Sequence, residues 1–323
     1  MSINAASRNL SRRRFISLTA AFSATLLAGT TATAAPRAIR WRGVVLGAEA
    51  EIIIHHPDPV LARRLIAASL DEVARLERVF SLYRADSELV ALNDAGRLAR
   101  PSHDMLRLLS LSRRIANLSG GAFDVSVQPL WRLYADHFSQ PGADPAGPGA
   151  AAIAAAARRV DYRAISFDTT AVRFEKPGMA LTFNGIAQGY ITDRVAGLLR
   201  GGGLGHVLTN MGEIYAAGGA DDGRPWRIES PASGGVVDVT DGAVATSQGA
   251  GTVFDRAGRH HHLLDPHSGH CAAYYDAVTV VSGDAATADA LSTALYALPP
   301  DRAEAVVAAL PGTTAFFKEP SRG

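Results

Sequence analysis

In 323 residues there is one cysteine, Cys271. It closes no intramolecular disulfide, even in an oxidising compartment. An excess of one charge is missing too: 32 basic side chains stand against 31 acidic ones, a formal net charge of +1. A basic surface for nucleic acid is therefore not expected. No uninterrupted apolar run reaches the roughly 18 residues that a membrane-spanning helix needs, so an integral membrane protein is not expected either. No internal repeat of about 20 to 50 residues is evident, which excludes solenoids and propellers.

Two suggestive patterns also lack their necessary context. The glycine cluster Gly201 to Val207, GGGLGHV, closes a helical pattern and leads into a strand. A dinucleotide fingerprint must do the reverse, so the cluster reads as a helix C-cap. The run His260, His261, His262 has no partner at i+4, and neighbours on an extended segment point to opposite faces. A structural zinc site is not expected there.

What is present is ample apolar content, 47% of residues, with 20% charged. That balance suits a globular chain with a substantial core. The first 34 residues differ from the rest. SRRRFIS (Ser11 to Ser17) places an arginine pair before Phe15, a mild apolar run follows, and TATAAP supplies a small-residue cleavage site after Ala34. This resembles the twin-arginine motif of exported, already folded proteins, so a periplasmic location is expected. Removing Arg8, Arg12, Arg13 and Arg14 leaves 28 basic residues against 31 acids. No cysteine follows the leader to carry a lipid, so the mature form is expected to be soluble.

Residues 35–323 then alternate strands and helices without the regular rhythm of a doubly wound Rossmann sheet. The expectation is one mixed α+β domain. Helices are expected over PVLARRLIAASLDEVARLERVFSLY, over SHDMLRLLSLSRRIANL with Ser102 as N-cap, and over ATADALSTALYAL. Strands are expected around Gly47, over AISFDTTAVRFE as a hairpin, and over HVLTNMGEIYAAGG, PWRIESP and AVTVVSG. MALTFNGIAQGYITDRVAGLLRGGG reads as strand, turn and helix, with Asp193 and Arg194 as a surface pair on that helix. A Pro/Gly/Ala-rich excursion covers 139–157, a loop followed by a short Ala-rich helix.

Chemistry first shows in ATADALSTAL, where Asp289 and Thr293 stand four apart and share a helix face. Carboxylate and hydroxyl oxygens suit a hard cation such as magnesium. The same pair also reads as a helix-dipole acid and a packing threonine.

Taken in order, FSLYRADSELVALN (Phe80 to Asn93), GGAFDVSV (Gly120 to Val127), LTFNGIAQGYITDR (Leu181 to Arg194), NMGEI (Asn210 to Ile214), VATSQGAGTVFD, RHHHLLDPHSG and ADALSTAL resemble the successive motifs of the ApbE family. Members are magnesium-dependent flavin transferases of bacterial envelopes. They move FMN from FAD to a Thr or Ser hydroxyl of an acceptor protein. The resemblance runs from about residue 44 to about 310. It implies magnesium held by the Gly185 carbonyl, Asp289 and Thr293, with FAD as substrate. It further implies flavin contacts at Leu46, Tyr83, Ala122, Phe123 and Asp124, and His262 as the general base. Asp265 either orients His262 or fixes the turn before Pro266, and Glu213 is either a supporting acid or a strand-end surface group.

Two positions depart from the family pattern. Thr182 stands where an Asp is usual, and Gln188 where a Lys is usual. Both are neutral hydrogen-bonding groups, so a rearranged contact to FAD is expected. The implied acceptor is a flavoprotein of a membrane respiratory complex. Two other readings share the motifs: an FAD diphosphatase, with water in place of the acceptor hydroxyl, and a non-catalytic flavin-binding accessory protein.

Overall fold

The computed structural model describes residues 38–220 and 223–320; the expected leader, residues 1–34, lies outside the described residues. In chain order the strands are β1 (Ile39–Val45), β2 (Ala48–Ile54), β3 (Arg97–Ala99), β4 (Ile165–Phe167), β5 (Ala171–Phe174), β6 (Val207–Asn210), β7 (Ile214–Ala217), β8 (Trp226–Ser230), β9 (Gly235–Val239), β10 (Gly242–Gln248), β11 (Ala277–Ser282) and β12 (Thr314–Lys318). The α-helices are α1 (Pro59–Phe80), α2 (Glu88–Ala95), α3 (His103–Leu118), α4 (Gln128–Ser139), α5 (Ala150–Ala157), α6 (Ala187–Gly201), α7 (Ala285–Tyr296) and α8 (Pro300–Ala308).

Seven strands form one sheet in the order β1-β2-β6-β7-β10-β11-β12, and every neighbouring pair is antiparallel. The two-residue periodicity of a strand sorts its side chains between two cores. On β2, Ile52 and Ile54 face the large core beneath the helices, whereas Ile53 faces a smaller one covered by Trp226 and Ile228 of the β8-β9 hairpin. On β10, Ala243 and Ala245 join the helical core and Val244 the other. A small three-stranded sheet, β3-β5-β4, stands apart. This is an α+β fold rather than a doubly wound one.

Local chemistry explains the element ends. Asp58 caps α1, taking the N–H groups of Val60 and Leu61 at 2.9 and 3.0 Å, and Pro59 suits the first helical position. Ser102 caps α3 through Met105. The glycine cluster does end α6: Leu204 N–H reaches the Leu199 carbonyl while Gly203 adopts φ +93°. The Pro/Gly-rich stretch leads from α4 into α5. Leu130 and Tyr134 of α4, Ile153 of α5 and Leu264 then make a satellite core.

One expected strand does not form. Residues 179–182 are irregular because other groups take their backbone. The Asn93 side chain accepts from Leu181 N–H at 2.7 Å and donates to the Leu181 carbonyl at 2.9 Å. Thr182 N–H goes to the Val125 carbonyl at 2.8 Å. With these groups engaged, no ladder can pair there.

Candidate active site

Helix α7 is buried along nearly its whole length and lies in the core between α6 and the strands β10 and β11. A helix buried all round should carry no charge, yet Asp289 sits on it at 3% exposure. Of the twelve residues of α7, Thr293 alone is not buried. It lies one turn beyond Asp289, so the helix opens toward solvent on the face that carries both oxygens.

Opposite this face lies the segment before α6 and its first turn. Gly189 donates its N–H to Asp289 Oδ2 at 3.1 Å. A Cβ on Gly189 would collide with the Ala285 carbonyl, and one on Gly185 would stand 2.8 Å from Thr293 Oγ1. Both glycines therefore mark close approach rather than turn geometry. Ser247 of β10 completes the wall, 2.8 Å from Ser292 Oγ and 3.3 Å from Thr293 Oγ1.

Electrostatics single out this spot. Burial drives the Asp289 carboxyl up to about 7, against the Gly189 hydrogen bond, and the Asp193 charge adds to the rise. Glu213, half-buried in the turn between β6 and β7, is held well above the ordinary carboxylate range by burial and by the charge of Asp289. Among the described residues neither carboxylate pairs with Lys or Arg. Two buried acids, one of which raises the other, describe a place that a cation would stabilise. Among the described residues no group of three or more His, Cys, Asp or Glu could hold a metal. A cation here would instead rest on carboxylate, hydroxyl and carbonyl oxygens, donors suited to magnesium rather than to a soft metal. Glu213 stands directly before β7 and is half-buried rather than fully exposed.

Gln188 and Thr182 join neighbouring motif segments through short contacts. Gln188 packs against the Asn210 to Glu213 turn, its Cδ 2.5 Å from where a Cβ on Gly212 would lie. Thr192 Oγ1 reaches the Gln188 carbonyl at 2.8 Å and the Glu213 carbonyl at 3.0 Å. Thr182, 8% exposed, accepts from Asn184 N–H at 3.2 Å. Its backbone bond to Val125 ties it to the Ala122-Phe123-Asp124 segment. Ala122 and Phe123 are buried. The Asp124 carboxylate is already engaged, taking Ser126 N–H at 2.8 Å, Ser126 Oγ at 2.6 Å and Tyr162 N–H at 2.9 Å.

Leu46 and Tyr83 flank the end of α1. Leu46 has φ +47° in the tight β1-β2 turn, and its N–H goes to Glu77 Oε1 at 3.0 Å. Tyr83 is 72% exposed. It follows Phe80, whose ring packs edge-on against Phe183 and Tyr190 at 5.7 and 5.5 Å.

His262 occupies a loop beside Thr252. Its N–H donates to the Thr252 carbonyl at 3.0 Å, and its ring Nδ1 lies 3.1 Å from the same oxygen. A carbonyl can only accept, so Nδ1 carries the proton and Nε2 keeps a lone pair. Burial depresses the imidazole to about 4, so it is neutral near pH 7. Asp265 takes His267 N–H at 2.9 Å and Ser268 N–H at 3.3 Å. That settles its two readings in favour of the turn. His267 Nε2 in turn lies 3.1 Å from the Gly120 carbonyl, joining this loop to the Gly120 to Val127 segment.

Asp193 and Arg194 do not pair with one another. Asp193 accepts from Ala285 N–H at 2.7 Å and Ala286 N–H at 2.9 Å, while Arg194 reaches Glu72 Oε1 at 2.9 Å. Positions 193 and 194 are about 100° apart on a helix, so one can face α7 while the other faces α1. Asn93 and Asp193 escape a reading by motif because their partners lie about 90 residues away, beyond any local pattern.

Comparison with known proteins gives the chain a family. The sequence profile of the ApbE family matches residues 46–317. The FAD:protein FMN transferase of Treponema pallidum (strain Nichols) is 30% identical over 291 residues, 80% of this chain and 78% of the relative. One from Klebsiella pneumoniae (strain 342) is 28% identical over 297 residues, 87% of this chain and 84% of the relative. Among solved structures, the apo form of Pseudomonas stutzeri flavinyl transferase ApbE superposes with a TM-score of 0.76 at 28% identity, covering 88% of this chain and 92% of that one. The ApbE protein of Thermotoga maritima gives 0.75 at 26% identity, covering 87% and 94%. With a family profile spanning most of its length and relatives matched across most of theirs, the chain belongs to the ApbE family.

Proposed function

We propose that this chain is an FAD:protein FMN transferase that attaches FMN to a Thr or Ser hydroxyl of an acceptor flavoprotein and releases AMP. The observation that carries this reading is the buried Asp289 carboxylate with Thr293, the one unburied residue of its helix, facing Gly185. The Gly185 carbonyl, Asp289 and Thr293 Oγ1 would hold magnesium. That ion, when bound, neutralises diphosphate charge as it shifts onto the leaving phosphate.

This chain's own groups supply positioning and proton transfer. His262 Nε2 takes the proton of the acceptor hydroxyl as its oxygen forms a bond to the FMN-side phosphorus. The diphosphate bond to AMP breaks, and AMP leaves with the bonding electrons. Tautomer choice favours this role, because the Thr252 carbonyl fixes the proton on Nδ1 and leaves Nε2 free to accept. Leu46, Tyr83, Ala122 and Phe123 would line the flavin, with Thr182 and Gln188 as neutral donors and acceptors toward FAD. Asp124 would act by holding its loop, since its carboxylate oxygens are internally bonded.

The arginine pair before Phe15 supports export of the folded protein to the periplasm. There the protein would meet the exposed part of a membrane respiratory flavoprotein. Among the described residues no helix is long and apolar enough to cross a membrane.

Incubation with FAD, magnesium and candidate acceptor domains, followed by mass spectrometry, tests the reading. The acceptor should gain one FMN, with AMP released in equal amount. FMN and AMP appearing at the same rate without acceptor would identify a diphosphatase instead. Tight FAD binding with neither product would identify a non-catalytic flavin carrier.

A further inference from the structure

Helix α6, with the turn before it, meets α7 at three places spaced about one helical turn apart. Asp193 reaches the N–H groups of Ala285 and Ala286, Gly189 donates to Asp289, and Gly185 abuts Thr293. Going down this ladder, one chain steps from 193 to 189 to 185 and the other from 285 to 289 to 293. The lower two rungs carry the oxygens assigned above to magnesium. The top rung carries none, and Asp193 lies a full turn from the nearest of them.

We infer that Asp193 is a positioning residue that sets the register of α7 against α6 and so brings the Gly185 carbonyl opposite Thr293. The inference rests on the reading of Gly185, Asp289 and Thr293 as metal donors.

The argument is geometric. Asp289 and Thr293 keep their mutual spacing because one helix carries both. The third donor belongs to the turn before α6, so its distance to the other two depends on how the helices lie. Near the top of the interface little can fix that: α7 presents Ala285 and Ala286 to Gly189, which has no side chain. Small residues permit close approach but allow sliding. A carboxyl group that takes two adjacent N–H groups at the first turn of a helix is directional. It meets α7 only where those N–H groups lack a partner within the helix, which is at its start. The Gly189 bond then repeats the same register one turn lower.

An ordinary helix cap offers the control. Asp58 takes two N–H groups at the start of α1 in much the same way, but α1 carries none of the three donors. If capping alone matters, Asp193→Ala and Asp58→Ala should behave alike.

The test uses the full chain with FAD and follows magnesium binding by calorimetry alongside thermal melting and transfer rate. Asp193→Ala should weaken magnesium binding roughly 10- to 100-fold, the range seen when groups supporting metal ligands are lost. Its transfer rate should recover as magnesium is raised. Asp193→Asn keeps one acceptor oxygen and should fall between wild type and alanine, which keeps the test open if the alanine variant folds poorly. Asp58→Ala should lower the melting temperature and leave magnesium affinity unchanged. Equal magnesium affinity in wild type, Asp193→Asn and Asp193→Ala would overturn the inference. Failure of wild type itself to bind magnesium would instead strike the metal reading on which it rests.

Discussion

A neutral imidazole near pH 7 is useful only if the right nitrogen is bare, and at His262 a single backbone carbonyl decides this. Replacing His262 with Ala should slow FMN transfer by about 10²- to 10⁴-fold, the usual worth of a positioned general base, with the KM for FAD little changed; steady-state kinetics would check it. The depressed imidazole sets the pH behaviour. Its value lies near 4 in the folded chain against an ordinary 6.5, so the unfolded chain binds the proton more tightly. The stability it contributes is complete above about pH 6.5 and is lost as pH falls toward 4. Urea melts of wild type and His262→Ala should therefore diverge across that window and run parallel above it. With magnesium saturating, so that Asp289 stays ionised as a ligand, the acid limb of kcat/KM should fall well below pH 6.5; a limb centred at 6.5 under that condition would show that burial does not govern His262. His262 is reachable from sequence through its motif. Asn93 is not: its two bonds to Leu181 join positions 88 apart and leave no periodic trace.

At the scale of elements, α6 and α7 approach as closely as glycine permits. Gly189→Ala would press a methyl group into the Ala285 carbonyl and the Ala286 Cα. Since backbone cannot yield as a side chain can, it should destabilise by about 1–3 kcal/mol. Gly197 lies two turns along the same helix, where an added Cβ meets nothing within 4 Å. Gly197→Ala should stabilise by about 0.5–1 kcal/mol. Opposite shifts of the two melting temperatures would confirm that contact with α7, not helix propensity, fixes Gly189. Long amphipathic helices such as α1 and α3 were legible because a polar face opposes an apolar one. Strand β10 was harder to see, because Gly242 to Gln248 reads GAVATSQ, with small residues where strands usually carry branched ones. Those small side chains let α7 settle onto the sheet. The strand expected before Asn184 failed for the opposite reason: its apolar residues suit a strand, but a distant Asn and a distant carbonyl claim its backbone. The spacing of Asp289 and Thr293 is visible, whereas the closeness of Glu213 depends on the β6-β7 hairpin meeting α7.

Across the whole molecule, folding brings two like charges together in a place poorly exposed to water. Glu213 arrives on the β6-β7 turn and Asp289 on the central helix, and the charge of Asp289 makes ionisation of Glu213 harder. The fold thus bears a local cost so long as no cation lies between them. Bound magnesium would reverse the sign of that contribution, because a ligand that favours the folded chain stabilises it by mass action, about 2.7 kcal/mol at a hundredfold excess over Kd. Asp289→Asn separates the two effects. It removes one charge, keeps an oxygen for the Gly189 N–H, and withdraws a hard ligand. In the presence of a chelator this variant should therefore melt higher than wild type, because an acid facing another acid has become neutral. With magnesium and FAD the order should invert, wild type rising and the variant staying where it was. Melting curves of both proteins with chelator and with magnesium plus FAD measure this directly. An Asp289→Asn variant less stable than wild type under chelation would mean that Asp289 serves the fold before it serves a cation.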